Sequence, residues 1–262
     1  MKFNTNKLEG VIVTPIFEDE NYNNELLEYT KGKKLFKGKL NEIFVNLPYN
    51  GEKEILIGLG KRDELKEDQL REVFFKLVKV LAKNKEFEVQ VTLPKVENIP
   101  TKNLVNAAVE GALHATYKFD KYKSDRKDFP EITINLTTEE QLENIEEVVS
   151  EACDIIGGVF FARDLVNERA EYLYPETLAN IARKELTALG VEVEVYDEKQ
   201  CEELGLKGLL VVGRASDKKP RFIVMKYLNN PEESEVVGLV GKGVTYDTGG
   251  YSIKQTANSM DI

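Results

Sequence analysis

Apolar residues in the first half of the chain alternate between two rhythms. Short runs rich in β-branched and aromatic residues predict strands: VIVTPIF (Val11–Phe17), IFVNL (Ile43–Leu47), EILIGLG (Glu54–Gly60), FEVQVTL (Phe87–Leu93) and EITINL (Glu131–Leu136). Between them, KEDQLREVFFKLVKVLAKN sets Leu70, Val73, Phe74, Leu77, Val78 and Leu81 on one helical stripe. TKNLVNAAVEGALHATYKF repeats that period more weakly, with Thr101 predicted as its N-cap. This alternation over residues 1–136 predicts a three-layer α/β domain around a parallel or mixed sheet.

A longer helical period follows. Thr137 and Glu140 form a T-x-x-E capping pattern, and Leu142, Ile145, Val148, Val149, Ala152, Ile156, Val159 and Phe160 carry the apolar stripe onward. Residues 137–168 are therefore predicted as a linking helix, with Gly157 and Gly158 marking a bend or a close helix contact. Residues 169–262 then read as the first part of a mixed-sheet α/β domain. Its helix has Pro175 in the first turn and Gly190 at the stop, and VEVEVY is a strand followed by the short helix DEKQCEELG. Three more apolar runs, GLLVVG, RFIVMKY and EVVGLVG, are predicted as strands. A sheet whose last strand has no helix after it to cover it reads as unfinished, so the chain is expected to be a piece of a longer protein.

Composition narrows the chemistry. The 262 residues are 42% hydrophobic and 31% charged, the balance of a globular protein, and no apolar run is long enough to cross a bilayer. The N-terminus lacks the apolar core of a secretory signal, so a cytoplasmic protein without a membrane partner is expected. A formal charge of −10, from 46 acidic and 36 basic side chains, repels polyanions and argues against nucleic acid as a partner. Cys153 and Cys201 show no metal spacing, and the single histidine, His114, reads as a packed or surface residue on a helix. One histidine excludes a His-rich metal site, and neither a G-x-S-x-G elbow nor a Cys-His pair is visible. Catalysis would have to rest on carboxylates, lysines or backbone.

The densest chemistry lies in VGKGVTYDTGGYSIK, Val240–Lys254. A phosphate-binding P-loop is not encoded, because Val236 stands where its first glycine would be and Gly243 where its Ser or Thr would be. A dinucleotide fingerprint starting at Gly241 and Gly243 meets Tyr246 in place of its third glycine. A nucleotide-binding protein is thereby disfavoured. Lys242, Asp247 and Lys254 around four glycines suit a different task, in which a carboxylate binds a divalent cation and an ammonium offsets charge on a carbonyl oxygen. The simpler reading, glycines for turns and lysines in solvent, would win for an isolated G-K-G.

The combination resembles the signature of the cytosolic leucyl aminopeptidase family, usually V-G-K-G-I/V-T-F-D-S/T-G-G and then a lysine. ARDLVNERAEYLYPETLA and GLLVVGRASDKKPRFIVMKY are similar to two further stretches of that family in the same order, so the likeness runs from Ala162 to the end of the chain. Residues 1–136 agree with the family's N-terminal domain by position only. The resemblance implies removal of N-terminal residues, leucine among them, from peptide substrates by two divalent ions, manganese, zinc or magnesium. By motif position Lys242 would ligate one metal, Asp247 would contact both, and Lys254 would bind the scissile carbonyl oxygen. It further implies a homohexamer, and a bicarbonate held by an arginine of a later D-x-E-G-R segment. SMDI at 259–262 lies just before an M-K-x-D segment that supplies more ligands, so the 262 residues alone are expected to be inactive. Tyr246 replaces the usual Phe, Tyr251 an aliphatic residue, and Arg169 and Glu171 a Pro and an Asn, which leaves substrate preference open. The alternative reading is a non-catalytic α/β module that binds a ligand or a partner.

Overall fold

In a computed structural model, which describes residues 1–5, 9–230, 232 and 235–255, the five predicted strand runs of the first half join one sheet. The strands are β1 (Lys2–Asn4), β2 (Val11–Phe17), β3 (Ile43–Asn46), β4 (Glu54–Gly60), β5 (Glu88–Leu93) and β6 (Thr133–Thr138), in the order β1-β6-β5-β2-β4-β3. All neighbours pair in parallel except β3 with β4, which are antiparallel. Three-residue β1 escapes a sequence reading because it is too short to show a period; its place is fixed by pairing Lys2 to Asn4 with Thr133 to Asn135.

Alternation along the strands supplies two apolar faces. Ile55, Ile57 and Leu59 of β4, with Val11, Val13 and Phe17 of β2, enter the larger core, whereas Leu56 and Ile16 point to the opposite face. The larger core is closed by α2 (Glu67–Asn84), α3 (Thr101–His114) and the first turns of α4 (Ile145–Asn167). All six stripe residues of α2 are buried, as its period predicts. On the other face α1 (Glu25–Gly32), which no strong period announces, buries Leu27 beside Ile16, Phe36 and Leu56. Helices on both faces of a mixed sheet make the three-layer α/β arrangement expected from the sequence.

Two capping expectations are corrected. Pro100 occupies the cap of α3, and Thr101 is its first helical residue, its hydroxyl donating to the Glu140 carboxylate. Thr137 begins no helix: it lies in β6 opposite Thr92, and the two hydroxyls are 2.9 Å apart. Pairing with β5 thus outcompetes the local capping pattern, and the helix starts at Ile145. Gly157 and Gly158 leave α4 unbroken, and beyond the helix's own backbone no atom lies within 4 Å of where their Cβ atoms would be, so no close helix contact forms there among the described residues.

The chain divides into two compact units, Met1–Asp164 and Leu165–Ile262. In the second unit Pro175 starts α5 (Pro175–Thr187), and Gly190, at φ +83°, turns the chain into β7 (Glu192–Tyr196). Asp197 caps α6 (Glu198–Glu203) by accepting from the N–H groups of Lys199 and Gln200, each at 3.0 Å. The run GLLVVG, predicted as a strand, is instead helix α7 (Lys207–Gly213), since an unbroken apolar run carries no period to separate the two. β8 (Phe222–Lys226) pairs antiparallel with β7, so this sheet has two strands among the described residues. The predicted strand at Glu235–Gly241 joins no strand among the described residues, and its Val236, Val237, Leu239 and Val240 are exposed. SMDI falls outside the described residues. Among the described residues no helix is long and apolar enough to cross a membrane.

Candidate active site

The glycine-rich segment folds back on itself through a short turn. Asp247 Oδ1 accepts a hydrogen bond from the Gly249 N–H at 2.9 Å, and the Thr248 carbonyl accepts from the Lys254 N–H, also at 2.9 Å. Gly249 sits at φ +85°, and a Cβ there would lie 2.2 Å from the Ser252 carbonyl oxygen. Only glycine fits that position. The return of the chain sets Lys254 Nζ 3.4 Å from Asp247 Oδ2.

Asp247 therefore has a donor on each oxygen. Its carboxyl is held below the usual carboxylate range, first by the Gly249 N–H, then by the Lys254 ammonium, with a smaller contribution from the charge of Lys242. Asp247 and Lys254 keep 52% and 28% of their side-chain surface exposed, so water screens the pair. Lys242 is exposed and feels Asp247 through space, without an ion pair or hydrogen bond among the described residues. Of the three predicted site residues, the structure brings two into contact and leaves the third nearby in solvent.

The three charged residues do not by themselves specify the turn that joins them. Thr248 and Gly249 supply the backbone groups that set the geometry, and the signal is in the sequence: an Asp two residues before a glycine is the pattern of a side chain accepting from the backbone ahead of it. As a metal centre the described donor set is incomplete. No three His, Cys, Asp or Glu side chains come together among the described residues, and one carboxylate with an adjacent ammonium does not fit two divalent cations.

Relatives give this turn its context. Residues 12–126 match the model of the cytosol aminopeptidase family's N-terminal domain, and residues 160–262 match its catalytic domain. The chain belongs to the cytosol aminopeptidase family. A probable cytosol aminopeptidase of Treponema denticola is 44% identical over 263 residues, covering 100% of this chain and 55% of that protein. Another, from Clostridium tetani, is 36% identical, covering 100% and 56%. The chain spans about half the length of the curated relatives it matches. Among solved structures, a tomato leucine aminopeptidase variant superposes with a TM-score of 0.78 at 18% identity, over 96% of this chain and 55% of that one. The bottromycin maturation enzyme BotP gives 0.77 at 24%, over 96% and 53%. At such identities these two speak for the fold of the family. The turn at Asp247–Lys254 lies inside the segment that the family's catalytic-domain model matches.

Proposed function

We propose that this chain is the N-terminal domain and the beginning of the catalytic domain of a metal-dependent aminopeptidase that releases N-terminal residues, leucine among them, from peptides. The observation that carries the reading is the Asp247–Lys254 contact at 3.4 Å within the family's catalytic segment. On this reading residues 1–136 are the N-terminal domain, 137–168 the link and 169–262 the catalytic portion. The complete protein assembles as a homohexamer in the cytoplasm.

Lys242 and Asp247 are proposed as ligands contributed by this chain to a site completed elsewhere in the longer protein, a second reason being that BotP has been solved in complex with Mn. When bound, two divalent cations supply Lewis acidity and an activated water. The remaining work falls to the chain. Lys254 places a positive charge where the scissile carbonyl oxygen becomes negative. Gly249 fixes the orientation of the Asp247 carboxylate through its N–H, so that this carboxylate would be pre-set to hold a cation. The low proton affinity of Asp247 keeps it ionised, as a ligand must be.

Two measurements test the reading. In the full-length protein with added Mn²⁺, Lys254→Ala is expected to lower kcat for leucine amide by about 10²–10³ with a much smaller change in KM, the pattern of lost transition-state stabilisation. Retention of wild-type kcat would remove Lys254 from the chemistry. The 262-residue chain alone is expected to release no leucine under the same conditions; turnover by it would overturn the incomplete-site reading.

A further inference from the structure

A second candidate site lies wholly within the first unit. An open groove of about 420 Å³ runs beside α2 and α3, lined among others by Arg71, Phe75, Lys79, His114, Tyr117 and Arg163. Its floor is Gly111, where a Cβ would fall 2.1 Å from the Arg71 carbonyl oxygen, so the helices approach closely enough to leave the walls to longer side chains.

The charges in this groove are unbalanced. Arg71 is committed, bonding Glu110 and, at 2.7 Å, Asp68. The one carboxylate in the lining, Glu72, pairs with Lys76 at 2.8 Å. Lys79 and Arg163 have no carboxylate partner among the described residues; both are held over aromatic rings instead. The Arg163 guanidinium stacks 3.7 Å from the centre of the Tyr117 ring, and Lys79 Nζ sits 5.5 Å from both Phe75 and Phe129. A stacked guanidinium keeps its N–H donors at its edge, in the geometry that grips carboxylate or phosphate. Asp164, next to Arg163 in the chain, accepts from the Tyr117 hydroxyl at 2.9 Å.

The surrounding chain adds to the field. Tyr117 and Phe129 bracket the loop KFDKYKSDRKD, residues 118–128, which carries five basic and three acidic side chains in a protein of net charge −10. Such a local reversal of sign attracts small anions. His114, at the end of α3, has its proton affinity lowered by burial and then by Arg163, so at neutral pH it offers a neutral ring edge-on to Phe160. Phe75 is 38% exposed and forms an apolar wall.

We propose that this groove binds a small phosphomonoester bearing a flat ring, its phosphate set against Lys79 and Arg163 and its ring against Phe75. A volume of this size exceeds what inorganic phosphate fills and suits a mononucleotide-sized molecule. The P-loop and dinucleotide patterns are both missing near Gly241, but this groove uses neither: its cations come from side chains on α2 and α4.

The test is calorimetric titration of the 262-residue chain with adenosine 5′-monophosphate, adenosine and inorganic phosphate. The monophosphate is expected to bind at least tenfold more tightly than either fragment. Arg163→Gln and Lys79→Gln are each expected to weaken it at least fivefold, while thermal melting confirms that both variants remain folded. Absence of monophosphate binding overturns the proposal, as does equal binding by the two variants. Binding of inorganic phosphate as tight as the monophosphate overturns the role given to the ring.

Discussion

Tyr22 shows how much the titration of one side chain can depend on the groups packed around it. Its hydroxyl accepts from the Phe17 N–H and donates to Glu20 Oε2, each at 3.0 Å, in a half-buried position. Burial first, and then the adjacent Glu20 carboxylate, push its proton affinity up to about 12. A folded value above the unfolded one of about 10 means the neutral phenol contributes stability that is complete below about pH 10 and is lost as pH rises through the folded value. Urea midpoints measured from neutral to alkaline pH are expected to fall over that window, and Tyr22→Phe is expected to flatten the fall. A slope unchanged by the substitution would contradict the geometry. Glu20 is also gripped by Arg62, whose guanidinium lies 4.2 Å from the Phe17 ring centre, so the segments that follow β2 and β4 share one network. The Arg62 contact is not legible in the sequence, because it comes from the end of another strand, 42 residues from Glu20. Asp247 and Lys254 were more legible: both lie on one short segment rich in glycine, and the turn that joins them is local.

Elements were readable where the period was strong and where their contacts were local. The stripe of α2 gave its boundaries to within a residue, since six apolar positions repeat over five turns of an 18-residue helix with no competing pattern. GLLVVG and EVVGLVG failed for the opposite reason: unbroken apolar runs say nothing about period, and strand formation needs a neighbour that the run itself cannot supply. Glycines illustrate the same limit. Gly111 in α3 and Gly157 in α4 look alike in sequence, yet the first is pressed against Arg71 of α2 and the second faces open space. Opposite outcomes follow for the same substitution. Gly111→Ala is expected to destabilise by about 1–3 kcal/mol through forced separation of α2 and α3, whereas Gly157→Ala is expected to stabilise by about 0.5–1 kcal/mol through helix propensity. Chemical denaturation of the two variants beside the parent measures both signs; a stabilising Gly111→Ala would mean that the helices do not touch at that glycine.

Across the whole molecule the burial of apolar surface is uneven, and that unevenness bears on function. The first unit buries a core on each face of a six-stranded sheet, the larger including Phe17, Phe74, Leu77, Val105 and Ile134 and the smaller Ile16, Leu27, Phe36 and Leu56. In the second unit the buried apolar side chains among the described residues are Leu173, Ala179, Ala182, Cys201 and Pro220, while Val237 is 86% and Leu239 93% exposed. Chain entropy of about 1–2 kcal/mol per residue has to be offset by burial, and the second unit has little of it. Residues 1–164 expressed alone are therefore expected to unfold in one cooperative transition, and residues 165–262 alone to show none and to bind a hydrophobic dye. A cooperative melt of the second fragment would show that its packing suffices. The proposed site residues Lys242, Asp247 and Lys254 all sit in that weakly packed unit, the last two on a turn held by three short-range contacts. A ligand set that must hold a cation needs rigid support, so the physical requirement of the chemistry points to packing partners for Val236–Val240 before the site can work. Tight Mn²⁺ binding by the isolated 262-residue chain, measured by calorimetry, would show that such partners are unnecessary; weak or absent binding, with tight binding in the full-length protein, is the expected result.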